Sequence, residues 1–386
     1  MTVQILHGDC RAELKKLPAD SVHCVVTSPP YWGLRDYGVP PEIWETRSGC
    51  KHRWKDSRYY TENSAAKTNG CAEAFSKPGP DNAHRLKDAR WREESICLDC
   101  GAWRGSFGLE RSYASYVEHS VEIFREVRRV LRPDGTLWLN IGDSFHSGNR
   151  GGYDRERAGV SKNGGQNASD FMAAPNRLPQ PGLKDKDLCG IPWRVALALQ
   201  ADGWWLRMDC IWAKPNPMPE SVTDRPTRSH EYLFLLTKSS RYYYDAQAIA
   251  EPLDRPEEAD RKTPAKFGGA YKHVEAGKQS RLHSGNEYRG TDSGTRNKRS
   301  VWTVATVPFK EAHFAVFPPA LIEPCILAGC PERGTVLDPF SGSGTTGMVA
   351  DRLNRNAILM ELNFEYAKMA SNRIRDDAGM FAEVGP

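Results

Sequence analysis

The sequence has no run of about 18 uncharged apolar residues, the length a helix needs to cross a bilayer, so no membrane-spanning segment and no membrane partner are expected. Its start, Met1-Thr2-Val3-Gln4-Ile5-Leu6-His7-Gly8-Asp9, carries neither a basic stretch nor a long apolar one, so no secretory leader is expected either. Excess charge is small: 53 Lys and Arg against 49 Asp and Glu leave +4, which neither demands nor excludes a polyanionic partner. No internal repeat is present, which argues against a solenoid or a propeller. With 39% hydrophobic and 26% charged residues, global disorder is excluded. Without a leader, a cytoplasmic, reducing compartment is expected, where the ten cysteines read as metal ligands or buried thiols rather than disulfides.

What is present is an alternation of strands and helices. The 386 residues suggest two or three units, or one large domain with insertions, at roughly 150 residues per domain. Residues 3–6 and 22–26 read as apolar strands, the second β-branched and nearly uncharged, as buried strands are. Residues 117–127 predict a helix, with Val117, Val121, Phe124 and Leu131 on one face. Arg132-Pro133-Asp134-Gly135 predicts a turn before a strand over 136–141. Pro192 suits the first turn of a helix ending near Gly203, and residues 204–212 and 232–236 read as further strands. The C-terminal part is the most regular: helix 320–328, strand 335–338, a glycine loop, helix 345–353, strand 357–360 and a helix over 364–374 capped by Asn363. Such alternation predicts an α/β layered sheet. Residues 45–108 break the pattern and read as an insertion, and residues 146–184, rich in Gly, Ser and Asn, read as a mobile loop. Residues 261–300 hold ten Lys and Arg against three acidic residues, with Phe267, Tyr271 and Tyr288 among them.

Two motifs carry chemistry. Asp338-Pro339-Phe340-Ser341-Gly342-Ser343-Gly344-Thr345-Thr346-Gly347 lies between a strand and a helix, where glycines allow close backbone approach and a helix start offers free N–H groups. Glu361 ends the next strand, where a carboxylate can grip two ribose hydroxyls. Gly342, Gly344 and Gly347 also satisfy the dinucleotide pattern, so a nicotinamide or flavin dinucleotide is an alternative. An acidic strand end, however, better suits the amino group of a methionine moiety than a pyrophosphate. The second motif is Thr27-Ser28-Pro29-Pro30-Tyr31-Trp32. Consecutive prolines end a ladder and fix nearby carbonyls. The Ser28 hydroxyl and the Pro29 carbonyl offer two acceptors for the N–H groups of an exocyclic base amine, directing its lone pair at a sulfonium methyl. Tyr31 offers a flat surface for the base.

Together, residues 26–31 and 338–344 resemble the amino-group DNA methyltransferases. With the catalytic motif first and the cofactor motif last, the order resembles the permuted β group, and Thr-Ser-Pro-Pro-aromatic is the form associated with the cytosine-N4 type. Supporting matches run along most of the chain: Gly8-Asp9, residues 131–140, His230-Glu231-Tyr232, residues 314–318 and Met360-Glu361-Leu362-Asn363. The resemblance implies a Rossmann-like, mostly parallel seven-stranded sheet binding S-adenosylmethionine. By motif position, Asp338, Phe340, Gly342 and Gly344 line the methionine side, Glu361 holds the ribose, and Asp9 with Phe317 flanks the adenine. Ser341, Thr345 and Asn363 are also assigned to the cofactor. Ser28, Pro29, Pro30 and Tyr31 form the catalytic pocket for a base flipped from double-stranded DNA. The catalytic domain then comprises residues 1–44, 109–245 and 301–386. Residues 246–300 fall where such enzymes keep a target-recognition region. A homodimer is compatible with the resemblance, and it names no restriction partner. Adenine N6 as the target, or a non-catalytic zinc-containing nucleic-acid-binding protein, are the alternatives.

Residues 45–108 hold Cys50-Lys51-His52 and Cys97-Leu98-Asp99-Cys100-Gly101. Two close pairs of soft ligands suit tetrahedral zinc, with Gly101 fitting a knuckle turn, although residues 53–96 make a long spacer and Cys71 could replace one ligand. A zinc-ribbon-like insertion with a structural ion is expected, against unrelated thiols in a polar insert. Cys10, Cys24, Cys189, Cys210, Cys325 and Cys330 are expected to be buried without chemistry.

Overall fold

The computed structural model describes residues 1–34, 37–44, 49–61, 90–146, 179–252, 295–307, 316–378 and 383–385. In chain order, β1 (Thr2–His7), α1 (Cys10–Lys16) and β2 (Val22–Thr27) are followed by the short strands β3 (Glu42–Trp44), β4 (Trp54–Thr61), β5 (Arg90–Cys97) and β6 (Trp103–Gly105). Then come α2 (Tyr113–Val130), β7 (Leu131–Ile141), α3 (Ile191–Ala201), β8 (Trp205–Ala213), β9 (His230–Thr237), β10 (Glu251–Pro252), β11 (Thr295–Arg296) and β12 (Val301–Thr303). The chain continues with α4 (Pro319–Gly329), β13 (Thr335–Asp338), α5 (Thr345–Arg352), β14 (Asn356–Glu361), α6 (Phe364–Ala378) and β15 (Glu383–Gly385).

A nine-stranded sheet has the order β12-β8-β9-β7-β2-β13-β14-β1-β15. Every neighbouring pair is parallel except the two made by β9, which runs antiparallel to β7 and β8. The seven expected strands form its body; β12 and β15, of 3 residues each, extend its edges.

Side-chain alternation along the central strands explains why helices cover both faces. Cys24, Thr136 and Trp138 point toward α4, so closely that a Cβ on Gly329 would lie 2.2 Å from Thr136 Oγ1. Val25, Leu137 and Leu139, one step along, share a core with Tyr116, Ile123 and Phe124 of α2 and Val195 and Leu199 of α3.

Three local readings change. The buried stripe of α2 runs through Tyr116, His119, Ser120, Ile123, Phe124, Val127 and Val130, while Val117 and Val121 lie at its margin. His119 and Ser120 hid that stripe: the buried imidazole Nδ1 lies 3.0 Å from Glu110 Oε1 and the Ser120 hydroxyl donates to Tyr116 O. The Arg132–Gly135 turn sits inside β7, as an irregularity between the pairs Val22–Leu131 and Cys24–Thr136. Finally, β3 joins β6, β5 and β4 in a separate four-stranded antiparallel sheet, so the inserted ribbon begins at Glu42 rather than at residue 45. Trp44 and Trp103 of that ribbon stack on buried His119 at centroid distances of 4.3 and 5.6 Å, anchoring it on α2.

Residues Met1–Tyr244 and Ser300–Pro386 cluster as one unit and Asp245–Arg299 as another. Within the second, β10 and β11 pair antiparallel, and Glu251 meets Arg299 at 3.0 Å. Phe267, Tyr271 and Tyr288, together with Cys71 and residues 308–315 that precede Phe317, lie outside the described residues. No helix among the described residues is long and apolar enough to cross a membrane.

Candidate active site

The two motifs meet because their strands are neighbours. β2 pairs in parallel with β13, Cys24 opposite Val336 and Val25 opposite Leu337, so both chains leave the sheet at the same edge. Open parallel sheets bind ligands there, beyond the carboxyl ends of their strands. A cavity of about 890 Å³ occupies that position. Ser28, Pro29, Pro30 and Tyr31 line it together with Phe340, Ser341, Gly342, Thr345, Glu361, Asp9 and Phe317.

The glycine loop is built for close approach. Gly342 has φ +51°, and a Cβ there would meet nothing within 4 Å, so the backbone is bare toward the cavity. Gly344 has φ +77°, and a Cβ would come within 2.7 Å of Ala370 Cβ; its demand comes from packing α5 on α6. Ser341 Oγ is buried with no hydrogen-bond partner among the described residues. Glu361 accepts from Gly342 N at 2.9 Å on one oxygen and from Asn363 N at 2.8 Å on the other, leaving lone pairs on both. Burial, with the Asp338 charge adding to it, pushes the Glu361 carboxyl up to about 7.

Three assigned residues do not line the cavity: Gly344, Asp338 and Asn363. Asp338 is fully buried and is not among the cavity-lining residues. Its carboxylate accepts from Thr27 Oγ1 and Thr346 Oγ1, each at 2.6 Å, and from Phe340 N at 3.0 Å. It ties the two motifs together from behind, and its burial lifts the carboxyl to about 6. Asn363 caps α6, accepting from Glu365 N at 2.9 Å, and does not line the cavity. Arg373 supports the loop from α6, donating to Ser343 Oγ at 2.9 Å and Thr345 Oγ1 at 2.8 Å.

At the other end, the Ser28 hydroxyl donates to Tyr31 Oη at 3.2 Å. The Tyr31 hydroxyl donates to Glu231 Oε2 at 2.8 Å and lies 3.1 Å from Asn140 Oδ1. Lys214 pairs with the other oxygen of Glu231. Burial, followed by the Glu231 charge, holds the Tyr31 phenol well above its ordinary range. The ring packs so closely on Gly142 that a Cβ there would lie 2.4 Å from Tyr31 Cε2. Tyr116 donates to Pro30 O at 2.8 Å, whereas no donor reaches the Pro29 carbonyl among the described residues. Asn140, Lys214 and Glu231 all line the cavity. The 131–140 and 230–232 matches pointed to Asn140 and Glu231 without giving them roles. Lys214 and Arg373 carried no signal of their own, and the motifs that contain Thr27 and Thr346 gave those two hydroxyls no role.

Cys50, His52, Cys97 and Cys100 converge at one end of the ribbon. Their ligand atoms all lie within 4.8 Å of one another. Cys10, Cys24, Cys189, Cys210, Cys325 and Cys330 are buried, as expected.

Comparison with known proteins agrees with this geometry. A family model for N6 and N4 methyltransferases, described as DNA methylase, matches residues 22–372. The type II methyltransferase M.Cfr9I of Citrobacter freundii is 40% identical over 373 residues, covering 97% of this chain and 88% of that protein. M.SmaI of Serratia marcescens is 40% identical over 372 residues, covering 96% and 90%. Among solved structures, PvuII DNA methyltransferase, described as cytosine-N4-specific, is similar with a TM-score of 0.51 at 15% identity, covering 98% of this chain and 92% of that one; at that identity the likeness speaks for the fold alone. With its two motifs brought to one cavity and the family model spanning most of its length, the chain belongs to the N6/N4 DNA methylase family.

Proposed function

We propose that this DNA methyltransferase moves a methyl group from S-adenosylmethionine to the N4 amine of a cytosine flipped out of duplex DNA. The observation that supports the reading is that Ser28 and Pro29 line the same cavity as Gly342 and Glu361.

The residues fit the cofactor. Gly342 leaves room where a side chain would stand, the Ser341 hydroxyl is buried beside it with no partner among the described residues, and Glu361 keeps a lone pair on each oxygen for two adjacent hydroxyls. Asp9 and Phe317 stand on the wall assigned to the adenine. S-Adenosylmethionine supplies a methyl group on a positively charged sulfur. The chain's part is to present the amine. Ser28 Oγ and Pro29 O accept its two N–H groups, which pulls the lone pair out of conjugation with the ring and aims it. Bound there, the cofactor would give up its methyl group to the amine nitrogen and leave as a neutral thioether holding the carbon–sulfur electron pair, and the amine would shed one proton to solvent. The Glu231–Lys214 pair and Asn140 fix the Tyr31 hydroxyl that receives the Ser28 proton, holding the serine's lone pairs toward the cavity.

Cytosine is favoured over adenine because Ser28 stands where adenine-N6 enzymes more often carry Asp or Asn. Residues 246–300 are assigned to target recognition from their basic, glycine-rich composition, which suits phosphate contact. The test is expression in a methylation-free bacterium, followed by digestion of its DNA and mass spectrometry of the nucleosides. N4-methylcytosine is expected. N6-methyladenine would move the proposal to the other branch, and an absence of both would overturn it.

A further inference from the structure

We propose that Cys50, His52, Cys97 and Cys100 bind a structural zinc ion that secures one wall of the active-site cavity. The cluster has the dimensions of an occupied site. Cys50 Sγ and Cys97 Sγ are 3.7 Å apart, and Cys100 Sγ is 3.5 Å from His52 Nδ1. Tetrahedral zinc, with bonds of about 2.3 Å to sulfur and about 2.0–2.1 Å to nitrogen, sets ligand separations of roughly 3.8 Å between sulfurs and 3.5 Å between sulfur and nitrogen. Three thiolates and one imidazole complete a closed shell with no position for water or substrate, which makes the ion structural.

The backbone is shaped to deliver these ligands. Gly101 takes φ +77° and returns its N–H to Cys97 O at 2.9 Å, forming one knuckle. His52 is itself left-handed at φ +34°, a conformation that a histidine adopts at a cost, and its N–H points at Cys50 Sγ at 3.4 Å. The two knuckles are cross-linked where Leu98 N donates to Arg53 O at 2.8 Å. The His52 ring lies stacked on Trp54, centroids 4.9 Å apart, which fixes its orientation.

From this point a short path leads to the cavity. Cys97 ends β5, whose Ile96 pairs with Trp103 of β6, and Trp103 pairs with Trp44 of β3. Trp44 and its neighbour Glu42 line the cavity, where Arg11 joins Glu42 to Asp9, with contacts of 3.1 and 2.8 Å. The metal therefore clamps the ribbon whose other edge stands beside the residues assigned to the adenine. This second half of the inference rests on the proposed cofactor reading; the first does not.

The test uses the full chain purified without chelators or a histidine tag. Elemental analysis is expected to find close to one zinc per chain. A mercurial reagent should release it to a colorimetric zinc indicator, and cobalt substitution should give the intense visible bands of a tetrahedral thiolate site. The double substitution Cys97→Ser with Cys100→Ser should lose the metal, while Cys24→Ser, a buried thiol elsewhere, should retain it. Wild-type protein that stays metal-free after refolding with zinc, or a double variant that still binds it, overturns the site. If the double variant fails to fold, the mercurial and cobalt measurements on wild type decide. Stripping zinc from protein that keeps its circular dichroism should weaken S-adenosylmethionine binding at least about fivefold, a modest coupling between neighbouring sites. An unchanged Kd overturns the clamp. Failure of metal-loaded and stripped protein alike to bind the cofactor overturns the methyl-donor reading instead.

Discussion

Thr27 donates to the carboxylate of Asp338 at 2.6 Å, across 311 residues of sequence. One residue belongs to the strand that delivers the Ser-Pro-Pro-Tyr corner and the other to the strand that delivers the glycine loop. Thr346 completes the clasp, donating to the other carboxylate oxygen, with Val26 O 3.4 Å from the same hydroxyl. All three polar groups are buried, so none has water to fall back on.

Asp338→Ala is therefore expected to destabilise the fold by about 2–4 kcal/mol, because it strands two hydroxyls and the Phe340 N–H without an acceptor. Denaturant unfolding measures it. A change below about 0.5 kcal/mol, the range of ordinary surface substitutions, would contradict the clasp.

Glu361 gives a pH signature. Its folded carboxyl titrates near 7, above the usual glutamate value, so the group favours the folded state while protonated. That contribution is fully present below the unfolded pKa of about 4.3 and is lost as pH rises through 7. Cofactor binding runs the other way, since the ionised carboxylate is the better acceptor for two hydroxyls. The Kd for S-adenosylmethionine is expected to rise as pH falls below 7, by up to about tenfold per unit. Titration calorimetry across pH 5.5–8.5 should show this slope in the wild type and a flat, weaker profile in Glu361→Gln. A pH-independent wild type would remove the ribose role.

Ser28→Ala separates chemistry from binding. The hydroxyl belongs to the base pocket, so kcat is expected to fall on the order of 100-fold while the cofactor Kd stays within about twofold. Parallel losses in both would place Ser28 on the cofactor instead.

How much of this could be read beforehand depended on distance along the chain. The Thr-Ser-Pro-Pro-Tyr corner and the Asp-Pro-Phe-Ser-Gly loop were legible because their chemistry is local: proline carbonyls, a bare glycine, a helix start. The role of Asp338 was not. A carboxylate at a strand end reads as a ligand group until the hydroxyls of Thr27 and Thr346 are known to occupy it, and nothing in the local sequence announces them. The ribbon's start was misplaced for a similar reason. Glu42–Trp44 is too short to signal a strand and gains its identity only by pairing with residues 103–105. Lys214 is unremarkable in sequence and Glu231 stood in a match that gave it no role; the two meet because β8 and β9 are neighbours in the sheet.

Gly342 and Gly344 should fail differently, though they are two residues apart. Gly344→Ala adds a Cβ 2.7 Å from Ala370 Cβ at a left-handed position, so a stability loss of about 1–3 kcal/mol is expected. Gly342→Ala meets open space, and beyond its backbone strain the added methyl intrudes only on a ligand. Its main effect should be a higher cofactor Kd. Thermal melts and calorimetry on both variants check this; equal melting losses with unchanged Kd for Gly342→Ala would disprove the distinction.

The link from Ser28 through Tyr31 to Glu231 predicts non-additivity. Tyr31→Phe keeps the ring against Gly142 and removes the oxygen that receives the Ser28 proton, so the serine hydroxyl loses its fixed direction. A drop in kcat of roughly tenfold is expected, with the cofactor Kd unchanged, since only orientation is lost. Combined with Ser28→Ala, the tyrosine change should add little, because the group it orients is already gone. The coupling in that double-mutant cycle should fall within about 0.5–3 kcal/mol, the range for residues sharing one hydrogen-bond network. Glu231→Gln, which keeps an acceptor for Tyr31 but breaks the ion pair with Lys214, should act in the same direction and lose its effect when Tyr31 is phenylalanine. Strict additivity of Ser28→Ala and Tyr31→Phe would mean that the hydroxyl relay does not set the serine's direction, and that Tyr31 serves the base through its ring alone.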